Sequence, residues 1–119
     1  MDSSSNVVAQ LRRGVLEHCV LALTEHEARY AYDLVNDLAA AGLVASEGTV
    51  YPLLSRLRRD GLVDTVWRES PSGPPRRYYT LTPQGRASLD AFRQSWRGFR
   101  ESVDHIVDGK ARSDRKSVV

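Results

Sequence analysis

Apolar residues fall at helical spacing in four stretches of this chain and alternate in a fifth, which lies between the third and the fourth. Val8, Leu11, Val15, Cys19 and Ala22 recur every three or four positions and predict a helix over Val7–Leu23. A polar connection, Thr24–Ala28, follows. Leu34, Val35 and Leu38 form the inward side of a second helix over Tyr30–Ala41, stopped by Gly42. After a turn at Leu43–Ala45, the residues Val50, Leu54 and Leu57, with Leu53 beside them, mark a third helix that stops at Gly61. Ser46 is its expected N-cap. Pro52 removes a backbone donor and is tolerated best in a first turn, so the pattern puts the helical start near Gly48 or Thr49.

The period then changes. Leu62–Glu69 is rich in Val, Thr and Trp and reads as a strand. Ser70-Pro71-Ser72-Gly73-Pro74-Pro75 reads as a turn, and Arg76–Leu81 as the returning strand. On that strand Arg77, Tyr79 and Leu81 share one face, with Tyr79 and Leu81 inward, while Arg76, Tyr78 and Thr80 take the other. Thr82-Pro83 is an N-cap and N1 pair that opens a last helix. Its apolar residues Leu89, Phe92, Trp96, Phe99, Val103 and Ile106 are spaced 3, 4, 3, 4 and 3 apart, a heptad stripe stopped near Gly109. A small domain cannot cover a stripe of that length. It predicts packing against a second protomer and against the first helix.

The layout is mainly α with a small β-hairpin: a winged helix-turn-helix plus a C-terminal dimerisation helix. The expected divisions are a disordered N-terminus over 1–6, a winged domain over 7–82, a dimerisation helix over 83–108 and a disordered, charged tail over 109–119. At 119 residues this is one domain with one added element, small enough for burial in an oligomer to help it.

Charge sharpens the reading of the third helix. The net charge is only +2, but it is unevenly spread. Residues 1–55 carry three arginines against seven carboxylates, and residues 56–77 carry six arginines against three. Thr49, Tyr51, Ser55, Arg56, Arg58 and Arg59 flank the apolar stripe of the third helix. Taken alone, that face suits a DNA recognition helix and an ordinary solvated helix equally. The hairpin that follows, with Arg76 and Arg77 in its returning strand, favours DNA, with the charge where phosphates would lie. At the head of the second helix, Tyr32 is within reach of phosphates and Tyr30 is expected inside.

These segments also resemble a known family, the PadR-type bacterial transcriptional regulators. The resemblance is carried by Tyr30-Ala31-Tyr32-Asp33-Leu34, by Glu47-Gly48-Thr49-Val50-Tyr51-Pro52-Leu53-Leu54, by Arg56-Leu57 through Gly61-Leu62, and by Arg76-Arg77-Tyr78-Tyr79-Thr80-Leu81-Thr82 with Gly85. It spans roughly residues 11 to 108, in the short form with a single C-terminal helix. Ala31 stands where the family usually has glycine, a change that keeps the helix. The resemblance implies a homodimeric repressor on double-stranded DNA with an inverted-repeat operator. Tyr32, Thr49, Tyr51, Ser55, Arg56, Arg58, Arg59, Arg76 and Arg77 are the expected contacts to DNA. Leu11, Val15, Leu89, Phe92, Trp96, Phe99, Val103 and Ile106 are the expected dimer interface.

Trp96 has two readings. A heptad tryptophan is interface core on spacing alone. In multidrug-binding members of the family, however, a tryptophan of the corresponding helix stacks on flat aromatic ligands at the dimer centre, and Ala91-Phe92 with Ser95-Trp96 is similar to that local pattern. The resemblance therefore implies an effector site of Gly14, His18, Trp96, Phe99 and Arg100. Those members have an acidic residue near the position of Arg100, which suits cationic drugs. Arg97 and Arg100 instead favour neutral or anionic aromatic small molecules.

Other chemistry is thinly represented. His18, His26 and His105 lie in three different elements, and no acid/base or nucleophile pair is visible, so no enzyme, cofactor or metal is expected. A site of His18, Cys19 and a partner's His105 is the one metal arrangement conceivable. With Cys19 alone there is no internal disulfide, which suits a reducing cytosol. The first residues lack a signal-peptide pattern and no apolar run approaches membrane-spanning length, so the expectation is a cytoplasmic protein without a membrane partner. The acidic N-terminal half leaves an alternative function, a winged-helix protein-interaction adaptor that binds no DNA.

Overall fold

The computed structural model describes residues 14–44 and 47–109. In chain order the described elements are α1 (Leu16–Leu23), β1 (Arg29–Tyr30), α2 (Ala31–Ala40), α3 (Glu47–Arg59), β2 (Val63–Ser70), β3 (Gly73–Leu81) and α4 (Pro83–Val107). The strands form one antiparallel sheet in the order β1-β3-β2. Helix α2, a turn, helix α3 and the hairpin make the winged helix-turn-helix that the patterning predicts. The expectations for Met1–Asn6, for Val8 and Leu11, for the Ser46 cap and for Lys110–Val119 lie outside the described residues.

α1 is rotated relative to its predicted stripe. Leu16, Val20 and Leu21 are buried, whereas Val15, Cys19 and Ala22 are only half-buried at the edge of the core. The segment Val15–Leu23 is apolar on two adjacent lines, and periodicity alone cannot choose between them. Thr24 ends the helix, with its Oγ1 donating to Leu21 O at 2.9 Å.

α2 buries Ala31, Leu34, Val35 and Leu38. Tyr30, read from sequence as the start of the second helix, instead forms with Arg29 the short β1 against β3, with Arg29 opposite Tyr79 and Tyr30 opposite Tyr78. Two residues are too few to carry a visible alternation. Arg29 also pairs with Asp37 of α2.

α2 and α3 end in the same way. Gly42 (φ 76°) and Gly61 (φ 80°) take the left-handed conformation open to glycine. The next residue's N–H turns back to the helix, from Leu43 to Leu38 O and from Leu62 to Leu57 O, each at 2.9 Å. Gly42 N and Gly61 N donate to Ala39 O and Arg58 O, which completes a Schellman cap at each end. α3 starts at Glu47, slightly earlier than predicted, so Pro52 sits inside the helix and not in its first turn. Pro52 is exposed, so the backbone carbonyl it leaves unbonded can meet water.

The hairpin turn is shorter than the sequence suggests. Only Pro71 and Ser72 are turn, and β3 already begins at Gly73. The register runs from Val63 opposite Leu81 to Arg68 opposite Arg76, breaks at a bulge between Arg68 and Ser70, and resumes at Ser70 opposite Gly73. Pro74 and Pro75 fall in that break, where no ladder donor is required.

One core joins these elements. Leu16, Val20 and Leu21 meet Leu34, Leu38, Val50, Leu54, Leu57, Val63, Tyr79 and Leu89. Each such side chain contributes about 1.5–3 kcal/mol by leaving water. Thr82 caps α4 as expected, accepting from Gly85 N at 2.9 Å, while its own hydroxyl donates to Gly61 O at 2.7 Å. Two compact units part at Leu89/Asp90, inside α4 and not at its start, because the first turns of α4 belong to the winged core.

Candidate nucleic-acid interface

Burial of Val50, Leu54 and Leu57 fixes the rotation of α3. At about 100° per residue, Ser55 and Arg59 stand opposite that stripe, Thr49 and Arg56 on one flank, Tyr51 and Arg58 on the other. All except the half-buried Thr49 are exposed. Arg56 is steered by two carboxylates, Glu17 at 3.8 Å and Asp60 at 3.6 Å. Arg59 touches Asp60 only at 4.0 Å, and Arg58 has no ion pair among the described residues. Pairs this exposed hold a side chain weakly. The three arginines crowd the last turn, where the helix dipole favours positive charge. Desolvation pushes the Tyr51 phenol up, with the Glu47 carboxylate next and then Tyr30, Tyr79 and Tyr32, so at neutral pH it is a hydrogen-bond donor.

The wing presents two faces. On one, Arg77 lies over the Trp67 ring at 4.9 Å, and Trp67 is 64% exposed. Arg77 Nε is buried without a hydrogen-bond partner among the described residues. On the other, Arg76 lies over the Tyr30 ring at 4.8 Å and Arg68 over the Tyr78 ring at 5.1 Å. Tyr30 is half-buried in this row and not in the core, 5.7 Å from Tyr78 and 6.5 Å from Tyr32, centroid to centroid. Tyr32 is 53% exposed. Arg68 was not among the residues singled out by sequence. Its position opposite Arg76 follows only once both the two-residue turn and the bulge between Arg68 and Ser70 are known.

The residues expected at a dimer centre divide between the two units. In the first, Gly14 is exposed, and His18 Nε2 lies 3.3 Å from Ser88 Oγ. Leu89, assigned to the dimer seam by its heptad position, is 1% exposed and belongs to the winged core. In the second, Phe92 and Trp96 stack at 5.4 Å with an interplanar angle of 15°, and Trp96 meets Phe99 at 6.3 Å. Arg100, Val103 and Ile106 are exposed, and Phe99 is 64% exposed. Phe92 and Trp96 are half-buried, so the exposed part of the stripe begins at Phe99.

Among the described residues no three His, Cys, Asp or Glu side chains converge to hold a metal ion. Burial pushes the Cys19 thiol up, away from the thiolate that ligation or attack requires. No described helix is long and apolar enough to cross a membrane.

Comparison with known proteins agrees with this arrangement. Residues 20–91 match the family model described as the transcriptional regulator PadR-like family. A transcriptional regulator of Mycobacterium tuberculosis, Rv3488, is 34% identical over 103 residues, covering 87% of this chain and 88% of that protein. A PadR family transcriptional regulator from Eggerthella lenta superposes with a TM-score of 0.75 at 35% identity, covering 87% of this chain and 91% of that one. A PadR-like transcriptional regulator from Bacillus cereus gives the same TM-score at 36% identity, with coverage of 82% and 96%. With the helix-turn-helix and the wing inside the matched residues, this chain belongs to the PadR-like family of transcriptional regulators.

Proposed function

We propose that the protein is a sequence-specific DNA-binding repressor that acts as a homodimer in the cytoplasm. The observation that carries this reading is the exposed Arg/Tyr/Ser face of α3 beside a wing whose arginines lie on aromatic rings and not on carboxylates. The structure of Bacillus subtilis PadR in complex with operator DNA supports it by fold, with a TM-score of 0.59 at 22% identity over 66% of this chain and 46% of that one. Phosphate contacts from the wing and helix ends position the protein, and the side chains of α3 read base edges. A dimer joined through Phe92, Trp96, Phe99, Val103 and Ile106 places two α3 helices about 34–36 Å apart, one DNA turn, on an inverted-repeat operator.

A gel shift of the purified protein on the DNA upstream of its own gene, with excess non-specific competitor, tests the reading. A specific shift is expected. No shift on any duplex would favour the protein-interaction adaptor, in keeping with the acidic N-terminal half.

Arg59→Ala is expected to cost about 1–3 kcal/mol in operator affinity and to relax specificity at one base pair. Arg56→Ala acts in the same direction, with a smaller effect because Glu17 and Asp60 already engage its guanidinium. Operator titrations with single-base variants measure both. Wild-type binding by both proteins would remove α3 as the reader.

The Phe92–Trp96–Phe99 aromatic run is further proposed as the stacking surface for a neutral or anionic aromatic effector that releases DNA. In a Trp67→Phe background, a flat phenolic acid should quench Trp96 fluorescence, and Trp96→Ala should keep DNA affinity while losing the response to that acid. A Trp96→Ala protein that falls into monomers, with no quenching in that background, would make Trp96 a packing residue.

A further inference from the structure

Arg68 and Arg76 are direct partners across β2 and β3 on the outer face of the wing. Like charges placed so are destabilising. No carboxylate relieves them: neither guanidinium has an ion pair among the described residues. Asp64, on the same face, turns its Oδ1 to the backbone N–H of Thr65 at 2.8 Å, and Glu69 lies in the bulge. Each guanidinium instead lies on a tyrosine, Arg68 on Tyr78 and Arg76 on Tyr30. Stacking occupies the flat face of a guanidinium and leaves its edge N–H donors free. Those donors form the fork that matches a phosphate. The two tyrosines are neighbours in the sheet, so the row crosses all three strands from Arg68 to Arg76. It runs on to Tyr32 at the head of α2, 6.5 Å from Tyr30 centroid to centroid.

We propose that this outer face of the wing is a phosphodiester clamp, in which Arg68 and Arg76, mounted on Tyr78 and Tyr30, grip one strand of the DNA backbone beside the recognition helix. Arg68 is a DNA-contacting residue, and Tyr30 and Tyr78 are positioning residues. The clamp rests on the reading of the chain as a DNA-binding protein. Its ligand removes the repulsion that the sheet tolerates when empty-handed, so backbone phosphate is bound where the fold carries excess positive charge.

The test is operator affinity measured across a salt series for wild type, Arg68→Ala, Tyr78→Phe and Tyr78→Leu, with a non-specific duplex in parallel. Arg68 is exposed, so its removal leaves the core intact. Arg68→Ala is expected to weaken both duplexes several-fold and to flatten the slope of log affinity against log salt by about 0.9 for each phosphate lost. Tyr78→Phe keeps the ring and should keep wild-type affinity and slope. Tyr78→Leu should behave like Arg68→Ala, with circular dichroism confirming that it folds. An unchanged slope for Arg68→Ala overturns the clamp while wild-type binding and its loss in Arg59→Ala leave the DNA-binding reading standing. Wild-type protein that binds no duplex overturns both. An Arg68→Ala protein that loses binding of inorganic phosphate but keeps wild-type DNA affinity and slope would assign the site to a free anion and overturn the backbone clamp.

Discussion

Gly85→Ala is expected to unfold the winged domain or to leave it barely stable. A Cβ at this position would stand 2.0 Å from Leu62 O, 2.6 Å from Leu81 Cδ1 and 3.0 Å from Leu62 C. A flexible side-chain end could move aside, but Leu62 O is backbone and accepts from Thr82 N at 3.2 Å. Moving α4 away instead would break the Thr82 cap and withdraw Leu89 from the core. Overpacking alone costs about 1–3 kcal/mol. Adding a lost cap of about 1 kcal/mol and partial loss of a buried leucine brings the sum above about 4 kcal/mol, against a total of about 5–15 kcal/mol for a domain. Urea denaturation followed by circular dichroism measures it. The control lies in the same helix: a Cβ at Gly98 meets nothing within 4 Å, so Gly98→Ala should raise stability by about 0.5–1 kcal/mol through helix propensity. Equal midpoints for the two variants would show that α4 does not approach Leu62 as described.

Val103→Asp is expected to abolish the proposed dimer and with it most of the operator affinity. In the single chain Val103 is exposed, so aspartate there costs the monomer little. In a seam formed by Phe99, Val103 and Ile106 the same carboxylate would be buried without a partner, several kcal/mol in each protomer. Sedimentation equilibrium should show monomer. Affinity for an inverted repeat should fall by about 10²–10⁴-fold, the gain that linking two half-site contacts provides. Val103→Leu should change neither property. A Val103→Asp protein that remains a dimer would place the interface elsewhere.

Much of this arrangement was legible in the sequence, where one physical signal stood alone. The stripe of Val50, Leu54 and Leu57 fixed the face of α3, and Gly42 and Gly61 marked two helix ends because the caps there need positive φ. The Thr82-Pro83 start of α4 was equally plain. Misreadings arose where two signals overlapped. Val15–Leu23 is apolar on two lines, and only the tertiary core selects Leu16, Val20 and Leu21. Gly73, Pro74 and Pro75 look like turn, yet a bulge lets them extend β3. Leu89 continues the heptad of α4 but is claimed by the winged core. Arg68 belongs to no local pattern, since its meaning comes from a partner across the hairpin.

The hydroxyl of Thr82 has a mechanical consequence. It donates to Gly61, the capping residue of α3, and accepts from Gly85 in the first turn of α4. The joint around it has no slack. Pro83 holds a fixed φ, and Gly85 is already in contact with Leu62. The end of the recognition helix and the beginning of the closing helix therefore meet as a stiff crank and not as a hinge. A change in direction of those first turns of α4 is delivered to α3 as displacement, with no loop between them to absorb it.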